Sequence, residues 1–283
     1  MISKKPAEKF LSQLQAVAEK FNKLVSTANG DWVVKGFIDV FRNVYTISGD
    51  TKVISKVVEL TLFPHFVEFA KEKDFKLVLA REQNHYPDLT FIDQNNNKFA
   101  VDLKSTYRTG GDMVNTMTLG AFTGYFRNRD SSKNITFPYR EYSGHFVLGV
   151  VYSRADVGID ELKVHQVEEL GFGKGKSHKP TIRSLTEIPS VVTNLQFFAQ
   201  PKYRIAKDQP GSGNTKNIGA VSNISALMNG NGPFAELGED VFDDYWMYYL
   251  TPDMARAVEL SKPPYRNLAT YLEYKKLVPS KQQ

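Results

Sequence analysis

An α/β fold is what the sequence predicts, on three observations. Apolar residues recur at helical spacing in residues 7–25, GHFVLGVVYSR (144–154) is a nearly continuous apolar run, and FAVDLKST (99–106) alternates between two faces. The chain has 283 residues, which allows one large domain or two small ones with ample buried core. Apolar residues make up 41% and charged residues 24%, a balance that excludes disorder. No apolar run approaches the roughly eighteen residues of a membrane span. The opening MISKKPAEKFLSQLQ lacks the apolar stretch of a secretory signal. The absence of cysteine rules out disulfides and thiolate metal sites, and suits a reducing, cytoplasmic compartment.

In chain order, Phe10, Leu14, Val17, Phe21 and Leu24 define the buried face of the first helix, with Lys9, Glu19, Lys20 and Lys23 opposite. Residues 32–47, rich in β-branched and aromatic side chains, read as short strands. Asp50 or Thr51 can cap the next helix, which Pro64 should end or kink before HFVEFAKEKDF resumes it. KLVLA (76–80) is a strand, followed by a hairpin over 84–106 that turns at DQNNNK. A helix is expected around MTLGAFTGYFRNR, then the central strand 144–154, then an inserted segment GFGKGKSHKP (171–180). A second helix should cover SLTEIPSVVTNLQFF with a break at Pro189, and a strand near KYRIAK should lead into the glycine loop GSGNTKNIG. In VFDDYWMYYL, Val241, Tyr245 and Tyr248 or Tyr249 recur helically, an aromatic band expected in the core rather than as a base-stacking platform. No internal repeat or proline-rich linker divides the chain.

The net charge is +5 and the pI about 9.1. Much of the basic excess lies in polar or glycine-rich stretches at 108–116, 127–134, 171–180 and 206–217, which could supply phosphate contacts along a duplex but, standing alone, read first as solvated surface loops.

The hairpin carries the chemistry. Phe99, Val101 and Leu103 point to one face, and Ala100, Asp102, Lys104 and Thr106 to the other. A plausible register sets Asp88 beside Asp102. Two close carboxylates repel, and a divalent oxygen-seeking cation such as Mg²⁺ would balance them, with Lys104 free to steady an attacking hydroxide or a pentacoordinate phosphate. The chemistry suggested is phosphodiester hydrolysis. The alternative is a solvent-exposed sheet face with an incidental Asp–Lys pair. Acid-x-Lys begins at Asp50, Asp74, Asp102, Glu161 and Glu273, and Pro-Asp occurs at residues 87–88 and 252–253. Asp102-Leu103-Lys104 alone follows a Pro-Asp on a hairpin, so the bare pattern leaves both readings open.

Pro87-Asp88 with Asp102-Leu103-Lys104 resembles the PD-(D/E)xK signature of restriction-endonuclease-like nucleases. SGDTKVIS (48–55), QNHYPD (83–88), VDLKSTY (101–107), TLGAFT (118–123) and PGSGNTKNIG (210–219) resemble, in order, the EcoRV-type family of type II restriction endonucleases. The resemblance implies a restriction-endonuclease-like core, a mixed β-sheet flanked by helices. Within one domain it implies a dimerisation segment at 1–50, a catalytic core at 51–155, and a recognition region with C-terminal helices at 156–283. It makes Asp88, Asp102 and the Leu103 carbonyl the Mg²⁺ ligands, Lys104 the catalytic lysine, and Glu59 a further acidic residue near the metal. It sends Gly211, Gly213, Asn214 and Thr215 to base edges in the major groove, on a loop that also carries Ser212, Lys216 and Asn217. Gln83 and Asn84 go to the minor groove and backbone. Glu82 and Lys216 depart from the family pattern and bear on phosphate affinity. The implied activity is cleavage of double-stranded DNA at GATATC to blunt ends by a homodimer, with a companion DNA methyltransferase as a partner and no membrane association. The rivals are a structure-specific or repair nuclease with the same metal site, a non-catalytic DNA-binding protein and, more remotely, a metal-free hydrolase using two carboxylates.

Overall fold

The computed structural model describes residues 5–82, 84–155, 164–166, 188–211 and 216–277. Helix α1 (Lys5–Val25) buries Phe10, Leu14, Val17, Ala18, Phe21 and Val25, while Leu24 turns outward. Strands β1 (Gly36–Ile38) and β2 (Asn43–Thr46) follow. Asp50 caps α2 (Thr51–Glu72), its carboxylate accepting from the Lys52 and Val53 amides. The helix runs through Pro64 without ending. The carbonyl that loses its donor there belongs to Leu60, which is 60% exposed, so water can satisfy it.

Strands β3 (Lys76–Leu79), β4 (Leu89–Ile92), β5 (Lys98–Gly110) and β6 (Met113–Val114) come next. The helix expected around residues 117–129 is instead β7 (Thr118–Ala121) and one 3₁₀ turn (Gly124–Phe126). Gly120 and Gly124 adopt φ of 89° and 57°, which a right-handed helix cannot use. Strand β8 (Tyr142–Arg154) is the expected central strand, and β9 is Val164–Gln166. The second expected helix is β10 (Val192–Pro201) over its described part, because its β-branched and aromatic residues pair with β8. The strand expected at KYRIAK opens as a helical turn, α3 (Lys202–Ile205), and becomes β11 at Ala206–Pro210, with β12 at Asn217–Ala220. Helices α4 (Ile224–Asn229), α5 (Glu239–Tyr248), α6 (Pro252–Ala257) and α7 (Leu268–Leu277) complete the fold. Of the expected aromatic band Tyr245 and Tyr249 are buried, whereas Val241 is half-buried and Tyr248 is exposed; Phe242 and Trp246 complete the buried face of α5. The inserted segment 171–180 lies outside the described residues, and among those described no helix is long and apolar enough to cross a membrane.

The central sheet has the order β10-β8-β5-β4-β3, with β6 on β5. The β5–β8 pair is parallel and the others antiparallel, giving the mixed sheet flanked by helices that was expected. Both faces are covered. Phe99, Val101 and Leu103 pack with α1 and α2 in one core, where Phe10 stacks on Phe99 at 4.4 Å. Ala100 belongs to a second core that holds Tyr86, Phe122, Phe126 and Trp246. Smaller sheets, β1-β2-β9 and β11-β12-β7, lie apart from this one.

The register fixes the strand that carries the charges: Asp102 lies beside Val147 and Lys104 beside Gly149. Across Gly149 from Lys104 is Phe198, whose ring atoms would be only 2.1 Å from an added Cβ. Gly149→Ala is therefore expected to cost about 1–3 kcal/mol by overpacking. Urea denaturation checks this, and an unchanged midpoint would show that Phe198 swings aside freely.

Candidate active site

A polar turn sets the hairpin register. Asp93 accepts hydrogen bonds from the Asn95 and Asn97 amides and from the Asn97 side chain, closing the turn between β4 and β5. Leu89 then pairs with Val101, which brings Asp88 level with Asp102. Asp88 Oδ2 accepts the Leu103 backbone N–H at 2.7 Å. Lys104 Nζ lies 2.6 Å from Asp102 Oδ2. Asp102 is 6% exposed and its face-mates Ala100 and Thr106 are also buried, which removes the alternative of a wet sheet face.

This placement costs electrostatic energy. Burial pushes the Asp88 carboxyl up to about 7, the Asp102 charge adds to the rise, and a carboxyl–carboxyl hydrogen bond contributes; Lys104 and the Leu103 amide oppose it. Burial alone would lower Lys104, but Asp102, Asp88 and Glu59 together raise it above the usual lysine value. The site at neutral pH therefore holds a firmly charged ammonium and an acid pair short of positive charge.

Among the described residues no group of three or more His, Cys, Asp or Glu side chains gathers as a metal cage. A pair of carboxylates is nevertheless what Mg²⁺ uses when waters and substrate phosphate complete its shell. The raised Asp88 carboxyl is the sign of a pair that a cation would relieve.

Asp88 and Lys104 open onto a cleft of about 1200 Å³ whose wall includes Lys52, Ser55, Glu59 and Arg81. Glu59, expected on a helix, is on α2 facing this cleft, with its carboxylate 2.7 Å from Lys56 Nζ. A second cleft of about 560 Å³ joins Asp88, Asp102 and Lys104 to Asn84, Asn128 and Asn217. Two members of the expected DNA-binding set, Asn84 and Asn217, thus share a groove with the acids. The glycine loop is pinched at its base, where Gly211 N–H donates to the Asn217 carbonyl at 3.0 Å and the Lys216 carbonyl accepts from Phe122 N–H at 3.0 Å. Gly211 approaches Thr118 so closely that a Cβ would fall 2.5 Å from its methyl. Gln83, Ser212, Gly213, Asn214 and Thr215 lie outside the described residues.

Sequence reasoning missed two groups. The Ser55 and Ser105 hydroxyls form a short hydrogen bond on the cleft wall. Tyr86, His145 and Lys202 gather behind the acid pair, with Tyr86 Oη 2.9 Å from His145 Nδ1. They come from the loop before β4, from β8 and from α3, and no local spacing signals their meeting.

A protein-family model described as restriction endonuclease EcoRV matches residues 28–276. The type II restriction enzyme EcoRV of Escherichia coli is 32% identical over 246 residues, which are 86% of this chain and 91% of that protein. The mixed sheet and its flanking helices agree with a restriction-endonuclease fold. A match over most of the chain, together with a paired-carboxylate site at the signature residues, makes this protein a member of the EcoRV family of type II restriction endonucleases, site-specific deoxyribonucleases that act on DNA.

Proposed function

We propose that this enzyme cleaves double-stranded DNA at the palindrome GATATC, leaving blunt ends, in a reaction that requires Mg²⁺. The observation that carries the reading is the Asp88–Asp102 pair, Asp102 buried and Asp88 half-buried, with Lys104 on Asp102 and two clefts reaching it. Asp88 and Asp102, with the Leu103 carbonyl beside them, would hold the cation. When bound, Mg²⁺ supplies the charge that polarises a phosphoryl oxygen and activates water. The chain's own residues do the rest. The Leu103 amide orients Asp88, and the Lys104 ammonium orients Asp102. Asp102 and Asp88 keep Lys104 protonated in the metal-free site, and the role assigned to it is to face the negative charge that develops on the phosphate. Glu59 contributes to keeping Lys104 charged.

The loop 211–217 is assigned to the major groove, where Gly211, Ser212, Gly213, Asn214, Thr215, Lys216 and Asn217 would read or approach the bases; an asparagine can pair bidentately with adenine. Gln83 and Asn84 are assigned to the minor groove and backbone. A central TA step, easily unstacked, fits a site recognised partly by deformation. A companion methyltransferase protecting the same sequence belongs to this reading.

A palindrome calls for a two-fold protein, and the sheet β1-β2-β9 is the surface assigned to it. It carries Phe37, Ile38, Tyr45 and Val164 as exposed apolar residues, and the turn between β1 and β2 adds Val40 at 90% exposure and Phe41 at 79%. Phe41→Asp is expected to shift the protein from dimer to monomer in sedimentation velocity; an unchanged dimer would move the interface elsewhere.

The deciding experiment is digestion of unmethylated duplex DNA with Mg²⁺ or with EDTA, followed by sequencing of the ends. Blunt, Mg²⁺-dependent ends inside GATATC are expected. Discrete ends at another palindrome would keep the chemistry and direct attention to Glu82 and Lys216. Nicks confined to mismatched or branched DNA would replace this reading with a structure-specific nuclease.

A further inference from the structure

Lys202 is an unusual lysine. It is 2% exposed, and its ammonium has no hydrogen-bond partner or ion pair among the described residues. Its neighbours are ring faces: Nζ lies 4.9 Å from the centroid of Tyr86 and 5.5 Å from that of Phe126. Burying an unpaired ammonium is costly, and an apolar side chain of similar length would fill the space at lower cost. Packing alone therefore does not account for a lysine here.

The ring it faces has a particular place in the chain. Tyr86 stands two residues before Asp88. Its backbone is tied to the segment 134–136, where Tyr86 N–H donates to the Asn134 carbonyl at 3.1 Å and the Tyr86 carbonyl accepts from Thr136 N–H at 2.8 Å. Its ring stacks on Tyr125 at 5.3 Å and 12°, and its hydroxyl meets His145. His145 is held well below its ordinary value by burial first and then by Lys202 and Arg129, so it is neutral at physiological pH. Burial lowers Lys202 to about 8, with Asp102 the largest opposing influence, so Lys202 is still cationic at neutral pH and close enough to sense the acid pair. A desolvated cation over the tyrosine face adds a directional attraction to the Tyr125 stack and the His145 hydrogen bond that also hold this ring.

We propose that Lys202 is a positioning residue for the acid pair: by clamping the Tyr86 ring it holds the segment that delivers Asp88 to Asp102. Lys202 touches neither DNA nor cation and acts through Tyr86. This inference rests on the metal-dependent reading above.

The test is Lys202→Met, which keeps length and packing and removes the charge, measured beside Tyr86→Leu and the double variant. For folded Lys202→Met, kcat should fall roughly ten- to a hundred-fold, as for other residues that orient a metal ligand, and Mn²⁺ binding without DNA, read by electron paramagnetic resonance, should weaken by a comparable factor. KM for duplex DNA should stay within about two-fold, because the groove that takes the DNA is unaltered. The double variant should be no worse than the poorer single one, since both remove the same clamp. Wild-type kcat and Mn²⁺ affinity in folded Lys202→Met, or additive losses in the double variant, would overturn the proposal. Should Lys202→Met not fold, Tyr86→Leu decides: unchanged Mn²⁺ binding there overturns the clamp. A wild-type protein that neither cleaves nor binds Mn²⁺ removes the functional reading and this inference with it, whereas a competent wild type with an indifferent Lys202→Met removes this inference alone.

Discussion

Asp88→Asn is expected to reduce DNA cleavage about a thousand-fold or more and, at the same time, to stabilise the metal-free protein at pH 8. The first effect follows from losing half of the acid pair, since each ten-fold in rate is about 1.4 kcal/mol and a metal's charge is worth several. The second follows from linkage. The Asp88 carboxyl lies at 3.8 when unperturbed and at about 7 in the fold, so between these values the folded state binds more protons than the unfolded one. Its contribution to stability is therefore greatest at low pH, declines as the pH rises from about 4 to 7, and is fully lost above that. Asparagine still offers an acceptor to the Leu103 amide and carries no charge. Its melting temperature should exceed that of the wild type at pH 8 and approach it at pH 5, with each kcal/mol relieved corresponding to roughly 2–4 °C. Mg²⁺ should close the gap at pH 8 by stabilising only the wild type. Equal differences at both pH values would mean that Asp88 carries no buried charge.

Lys104→Met should have the opposite effect on stability. Asp102 would keep its burial and lose the ammonium 2.6 Å away, and breaking a buried pair by removing one partner costs about 3–5 kcal/mol. Lys104 is partly exposed, with 25% of its side chain open, so the lower end of that range is expected at neutral pH. Single-turnover cleavage should fall by roughly 10²–10³, the scale of removing one preorganised charge from a developing phosphate charge. Duplex affinity should change little, because one phosphate-directed cation is a small share of a salt-dependent interface. Unfolding in urea and rapid-quench cleavage read the two effects separately. A rate equal to wild type would reduce Lys104 to a structural counter-ion.

What could be read from the sequence was whatever local periodicity encodes. The stripe Phe10–Leu14–Val17–Phe21 gave α1, and alternation in FAVDLKST together with the polar DQNNNK turn gave the hairpin and the meeting of Asp88 with Asp102. Tertiary context decided the rest. TLGAFTGYF has helical apolar spacing, yet two glycines at positive φ divert it into a strand and a tight turn. VVTNLQFF is ambiguous until β8 offers it a ladder. The burial of Asp102 was hidden, because Ala100 and Thr106 give no sign of a second core built from residues far along the chain. The same distance concealed Lys202, which sits in an otherwise ordinary KYRIAK.

The pairing of α1 with β10 has a consequence for synthesis. Gln15 hydrogen-bonds to the Ala199 carbonyl across 184 positions, and Asn22 to the Phe197 amide across 175. The apolar stripe of α1 packs in the core to which Val192, Phe197 and Ala199 belong, and those residues leave the ribosome roughly ten to forty seconds after it at ordinary translation rates. The core over the sheet that sets Asp102 beside Val147 thus closes only when β10 joins α1, although the two lie far apart in the chain. A nascent nuclease of this design cannot close the core beneath its catalytic strand until Val192–Pro201 has been made, and is expected to stay disarmed at least until then.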